Sequence, residues 1–201
     1  MSGVHAAPFT QPASFAFTAE NLELAQKHIA KYPEGRQQSA VMPLLDIAQR
    51  QNDGWLPEAA IRVIGEMLNM PYIRVYEVAS FYTMYNLVPV GRHFVQVCTT
   101  TPCWLRGSDE VMEACRQKLG VKNGQTTADG QFTLLEVECL GACVNAPMMQ
   151  IGDDYYEDLD ADSTARILDD LKAGREPKVG PQINRQNAAP EGGPTTLKET
   201  A

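Results

Sequence analysis

Two short strings carry the residues best suited to chemistry: Cys98-Thr-Thr-Thr-Pro-Cys103 and Cys139-Leu-Gly-Ala-Cys143. Thirty-five residues lie between Cys103 and Cys139, enough for one helix and one strand. If each pair follows a strand, and the two strands are parallel neighbours, both loops arrive at the same end of a sheet. Four thiolates gathered there repel one another unless a cation holds them, so the pattern asks for a metal centre. Pro102, Gly107, Gly141 and Pro147 suit irregular turns that aim backbone N–H groups inward, and Thr99, Thr100 and Thr101 add hydroxyls near the sulfurs. Spacing alone leaves a structural four-cysteine zinc site and an iron-sulfur centre equally open. A two-iron, two-sulfide (2Fe-2S) centre on four cysteines would hold a formal charge of about −2 when oxidised and about −3 after one-electron reduction. Donors to sulfur favour that electron and burial opposes it. A Rieske centre needs two histidine ligands, and His5, His28 and His93 do not sit beside the cysteines in that arrangement. There is no Cys-x-x-Cys pair, which makes a dithiol oxidoreductase the weakest reading. The fifth cysteine, Cys115, falls on the apolar face of a helix and reads as core packing.

The elements that must position these loops are legible from periodicity. His93-Phe94-Val95-Gln96-Val97 alternates like a strand and runs into Cys98. Ser108 is placed to cap a helix containing Val111, Met112, Cys115 and Leu119, stopped by Gly120. Residues 124–130 read as a loop, Phe132 to Val137 as a second strand, parallel to the first. Met148 to Ile151 and Tyr155-Tyr156 read as a hairpin turning at Gly152-Asp153. A last helix uses Ala165, Ile167, Leu168 and Leu171 and ends at Gly174. Upstream, four helices are expected over residues 18–85. The first is capped by Thr18 and carries Leu22, Leu24, Ala25 and Ile29. The second holds Val41, Leu44, Leu45, Ile47 and Ala48 and ends at Asn52-Asp53-Gly54. The third opens at Pro57 with Ile61, Ile64, Met67 and Leu68 on one face. The fourth opens at Pro71, and its run of Ile73, Val75, Tyr76, Val78, Ala79, Phe81 and Tyr82 is too apolar for an exposed helix. The expected organisation is a flexible arm (1–17) that orders only against a partner, a helical bundle (18–88), an α/β domain (89–174) and an extended tail (175–201) unable to bury much. The class is therefore α+β overall, with the α/β part second.

Composition bounds the function. Across 201 residues, a net charge of −8 argues against a surface built to grip nucleic-acid phosphate or anionic lipid and leaves basic partners open. No apolar run approaches the ~18 residues of a membrane span. The N-terminus lacks the basic start and apolar stretch of a secretory signal, and an odd, uneven set of five cysteines suits a reducing compartment. Neither a Gly-x-Gly-x-x-Gly nor a Walker-type loop is present, so no nucleotide site is expected in this chain.

The strings CTTTPCWLRGSDEVMEAC and EVECLGACVNAPMMQIGDDYYEDL, together with VASFYTMYNLVPVGRHFVQV upstream, resemble the thioredoxin-like 2Fe-2S ferredoxin subunit of respiratory NADH:quinone oxidoreductase, complex I. The resemblance covers roughly residues 18–175. It implies a thioredoxin-like fold preceded by helices, with Cys98 and Cys103 on one iron and Cys139 and Cys143 on the other. It further implies a place against the flavoprotein subunit that holds FMN and the NADH site, among other peripheral-arm subunits. The cluster would lie near the flavin but off the main path to quinone. Catalysis would belong to the complex, not to this chain. The location implied is the cytoplasmic side of a bacterial inner membrane, or the matrix side in an organelle. An equivalent diaphorase subunit of an NAD-linked hydrogenase or formate dehydrogenase is the nearest alternative.

The remaining residues of interest have plainer readings. Trp104 could shield the centre, meet a partner or simply pack. Met148 and Met149 should cover the core. The acidic run Asp153, Asp154, Glu157, Asp158, Asp160 and Asp162 reads as a solvated face sooner than as a dock for a basic subunit, and it lacks the spacing of a calcium loop. Phe81, Tyr82 and Tyr85 could be core or interface.

Overall fold

A computed structural model describes residues 3–4, 8–190, 192–193 and 196. The chain divides into two compact units, residues 6–92 and residues 93–201 joined by the first five.

The first unit is built from four helices: α1 (Ala19–Ile29), α2 (Val41–Gln51), α3 (Glu58–Leu68) and α4 (Tyr72–Phe81). Thr18 caps α1 by accepting the Asn21 N–H at 3.2 Å. Pro57 and Pro71 stand immediately before α3 and α4, where their missing N–H costs no helical hydrogen bond. Leu44, Leu45, Ile61, Ile64, Leu68, Val75 and Ala79 share one buried core. Two expectations fail here. In α4 only Val75 and Ala79 are buried, while Ile73 and Phe81 are 55% and 76% exposed. Val75 and Ala79 lie on the side this unit covers, while Arg74 and Glu77, paired at 2.8 Å, make the opposite side polar and leave Ile73 and Phe81 outside the core. Of the arm, residues 1, 2 and 5–7 lie outside the described residues. Residues 8–17 rest on the unit's own helices: Phe15 and Phe17 pack on the core, and Phe9 meets the Trp55 ring edge-on at 5.3 Å. Gln51 donates to the Ala16 carbonyl at 2.9 Å. Aromatic residues in an otherwise polar stretch thus find cover without a partner.

The second unit is a mixed five-stranded sheet. It comprises β1 (His93–Cys98), β2 (Phe132–Val137), β3 (Met148–Ile151), β4 (Asp154–Glu157) and the two-residue β5 (Gly180–Pro181). β2 runs parallel to β1 with Cys98 opposite Val137, while β3 is antiparallel on the other side of β1 and forms a hairpin with β4. The helices are α5 (Thr101–Leu105), α6 (Ser108–Leu119) and α7 (Ala161–Lys172). Strand alternation sends Val95, Val97, Leu134, Met149, Ile151 and Tyr156 into one core with Val111, Met112 and Cys115 of α6 and Ile167 and Leu168 of α7. The opposite parity sends Cys98, Met148 and Tyr155 to the other face, where they join a separate small cluster with Cys103 and Ala146. The cysteine site therefore sits apart from the helical layer, at the end of β1.

Three details depart from the expected pattern. Ser108 is not a cap: Gly107, at φ +99°, takes the N-cap position, and Ser108 becomes the first helical residue, its Oγ buried without a hydrogen bond. The first cysteine loop contains α5, a single turn with Pro102 near its start and Cys103 on it. The tail is not merely extended. Residues 180–181 add β5 beside β4, and Gln182 N–H donates to the Glu157 carbonyl at 2.9 Å. Beyond residue 190 the tail lies mostly outside the described residues.

Candidate metal centre

Each thiol owes its place to a distinct piece of backbone. Cys98 is the last residue of β1, held beside β2 by the ladder and by Thr99 N–H, 3.4 Å from the Val137 carbonyl. Cys103 rides on α5, within side-chain hydrogen-bond reach of Cys98; both residues are 1% exposed. Cys139 lies two residues past β2, and Cys143 opens a short 3-10 turn through Asn145. These last two are exposed.

The two loops meet. Cys139 Sγ and Cys143 Sγ are 3.4 Å apart. Cys98 and Cys103 are hydrogen-bonded to each other, and Cys98 interacts electrostatically with both Cys139 and Cys143. Thr100 bridges the loops: its Oγ1 is 3.4 Å from Cys98 Sγ and also hydrogen-bonds Cys139. Thr99 does not face sulfur; its hydroxyl donates to Glu136 at 2.7 Å.

The electrostatics divide the thiols. At Cys98 burial pushes the pKa up, but hydrogen bonds from the Thr100 side chain and from the Leu140 and Thr100 N–H groups outweigh it, and the net direction is down. Burial, then the bond to Cys98, pushes Cys103 up to about 12. The Gly141 N–H, then Cys143, lowers Cys139, while Cys143 is raised first by its bond to Cys139. Within each close pair one thiol is lowered and the other raised, the behaviour expected where two negative charges would lie side by side. Backbone donors from Leu140, Gly141 and Met148 already point at sulfur. Among the described residues, no three of His, Cys, Asp or Glu surround a single ion position. The four thiols stand as two close pairs, Cys98 with Cys103 and Cys139 with Cys143, a donor set able to hold metal as thiolates.

Several residues near the loops were not legible in the sequence. The Tyr155 hydroxyl donates to the Leu140 carbonyl at 2.8 Å. Its relation to the cysteines follows from strand register, which periodicity does not supply. Asp158, expected among solvated acids, instead forms a buried ion pair with Arg185 at 2.5 Å, the side chains 4% and 7% exposed. Asp160 caps α7. Trp104 is 58% exposed, which rules out simple packing, whereas Met148, Met149 and Cys115 are buried as expected.

A parallel β1–β2 pair, an antiparallel hairpin beside it, one helical layer and four cysteines at the strand ends together define a small α/β protein with a ferredoxin-type thiol site. The family profile described as thioredoxin-like 2Fe-2S ferredoxin matches residues 25–172, and the chain belongs to that family. Over 163 residues it is 58% identical to a subunit of NADH-quinone oxidoreductase from Rickettsia bellii (strain RML369-C), covering 81% of this chain and 98% of that protein. The protein of the same name from Rickettsia conorii (strain ATCC VR-613 / Malish 7) is 60% identical over the same shares. The mitochondrial NADH dehydrogenase (ubiquinone) flavoprotein 2 of Dictyostelium discoideum is 54% identical over 185 residues, 92% of this chain and 75% of that protein. Among solved structures, an NAD+-reducing NiFe-hydrogenase in the H2-reduced state matches with a TM-score of 0.58 at 21% identity, over 67% of this chain and 23% of that one. That likeness concerns the fold alone.

Proposed function

We propose that this chain is the 2Fe-2S electron-transfer subunit of an NADH:quinone oxidoreductase, with Cys98 and Cys103 holding one iron and Cys139 and Cys143 the other. The observation that carries the reading is the convergence of two thiol pairs from two loops, bridged by Thr100. The relatives at 54–60% identity, all named for such an oxidoreductase, supply the assembly. A bound 2Fe-2S centre supplies one-electron storage and release. The chain's part is to set the energy of that electron: Leu140, Gly141 and Met148 N–H groups and the Thr100 hydroxyl stabilise charge on sulfur, while Cys98 and Cys103 lie buried. In a one-electron couple ~59 mV is tenfold, so a few such contacts decide the direction of flow.

The NADH site and FMN are assigned to a partner flavoprotein subunit, since no phosphate-binding loop occurs in this sequence. The four N-terminal helices are read as a bundle preceding the ferredoxin fold. Exposed apolar residues in each unit, Ile73, Phe81 and Met84 in one and Trp104, Leu105 and Val144 in the other, are what a chain seated among other subunits would present. No described helix is long and apolar enough to cross a membrane. The place assigned to the chain is a peripheral arm on the cytoplasmic or matrix side. A hydrogenase assembly gains only fold-level support.

Anaerobic purification followed by iron, sulfide and zinc analysis tests the reading. About two irons and two sulfides per chain are expected. One tightly held zinc without sulfide would make the site a structural metal module.

A further inference from the structure

The loop that carries Cys143 is held from behind by the C-terminal segment. Arg185 donates through Nε to Asp158 Oδ2 at 2.8 Å and through Nη2 to Asp158 Oδ1, a two-point pair buried on both sides. The same Nη2 donates to the carbonyl of Val144, the residue after Cys143, at 2.8 Å. Next in the chain, Asn145 is 2% exposed and is fixed from both ends: its Nδ2 donates to the Asn187 carbonyl at 2.9 Å and to Asp158 at 3.3 Å. Its own carbonyl accepts the Asp158 N–H at 2.8 Å. Arg185 Nη1 closes the tail on itself at the Ala189 carbonyl, 3.1 Å away. One guanidinium thus joins the end of β4, the turn after Cys143 and the tail.

We propose that Arg185 is a positioning residue for the Cys143 ligand turn, and that the segment around residues 182–189 is part of the metal-binding unit and not a passive tail. The guanidinium suits the task because its donors lie in one rigid plane, so that two can engage a carboxylate while a third contact fixes a carbonyl. Loss of the cation leaves Asp158 buried without its counter-charge, and the turn then relaxes to let water in. Cys143 is at the exposed end of the site, where ligand exchange with solvent begins, so freedom in this turn speeds loss of the centre.

The inference rests on the iron-sulfur reading proposed above, and the test separates them. Full-length wild-type protein, Arg185→Gln and Arg185→Lys are loaded with iron and sulfide and bleached with an iron chelator, and the reduced forms are compared by EPR. R185Q is expected to lose visible absorbance about tenfold faster and to show shifted g values, with unchanged helical circular dichroism. R185K, which keeps the charge but not the planar fork, is expected to recover part of both. Wild-type bleaching and wild-type g values in R185Q would overturn the proposal, including when its tail is cut more readily by protease, since that result reduces Arg185 to a tail anchor. If R185Q fails to fold, R185K decides on the same two readouts: faster loss supports the proposal and wild-type values overturn it. A wild-type protein that takes up no iron and sulfide would instead overturn the iron-sulfur reading itself.

Discussion

Cys139 accepts a backbone hydrogen bond from the Gly141 N–H, and the carbonyl of that same peptide unit belongs to Leu140 and accepts the Tyr155 hydroxyl at 2.8 Å. A donor on the carbonyl polarises the peptide and strengthens its N–H toward sulfur. Tyr155→Phe keeps the ring in its packing and removes only that bond. The reduction potential is expected to fall, by less than the ~59 mV of a tenfold change. An EPR-monitored redox titration checks it, and an unchanged or raised potential would count against the polarisation argument. Cys115 provides the contrast. It is fully buried against β-strand residues, and burial pushes its thiol up to about 12, so it stays neutral and unreactive across the physiological range. Cys115→Ala should cost roughly 1–2 kcal/mol of stability while iron content stays at the wild-type level, read by chemical denaturation and metal analysis. The place of Cys115 is legible in the sequence, because the helical period sets it with Val111, Met112 and Leu119. That of Tyr155 is not, because β4 register decides it.

Elements are legible where their signals are local. Thr18, Pro57 and Pro71 mark helix starts by chemistry confined to one turn, and β1, β2 and the hairpin at Gly152-Asp153 show alternation or turn residues within a few positions. What fails depends on packing that periodicity does not supply: Ile73 and Phe81 of α4 flank the exposed Arg74–Glu77 pair and find no cover within the helical unit, and Arg185 reads as one cation in a polar tail until the turn after β4 supplies Asp158. The start of α7 is hidden for a similar reason, within the acidic run. Asp160 Oδ1 accepts from the Ser163 N–H at 2.7 Å and the Ser163 hydroxyl at 2.6 Å. Those bonds, side chain first and backbone second, hold the Asp160 carboxyl below its usual range. A carboxyl with a folded pKa below its unfolded value adds stability above the unfolded value and loses it as pH falls through the folded one. Asp160→Ala should therefore cost about 1 kcal/mol at neutral pH. Asp160→Asn retains a cap but flattens the acid limb of the stability profile. Thermal melts from neutral to acid pH test both, and an unaltered acid limb in D160N would contradict the cap's role.

For the whole molecule, two cores without shared members imply two responses. The core of residues 6–92 contains none of the site cysteines, whereas Cys98 and Cys103 belong to a cluster of the second unit. A centre that binds only the folded second unit stabilises that unit by mass action. Calorimetry of loaded and stripped protein should show one transition lowered by stripping and another unmoved. A uniform drop would mean the units unfold together. The net charge of −8 narrows the choice of partners, but it does not point to the centre itself. The proposed centre rests on two cysteine pairs whose convergence needs the parallel β1–β2 crossover, which the spacing anticipates and the register shows.

The central claim is that the four thiols hold a reducible two-iron centre. Low-temperature EPR of the anaerobically purified chain, before and after dithionite, tests it most directly. The protein should be silent as purified and give a rhombic signal of one unpaired electron per chain on reduction, lost when Cys98 or Cys139 is replaced by alanine. A protein that stays silent after reduction while retaining a tightly held metal would contradict it.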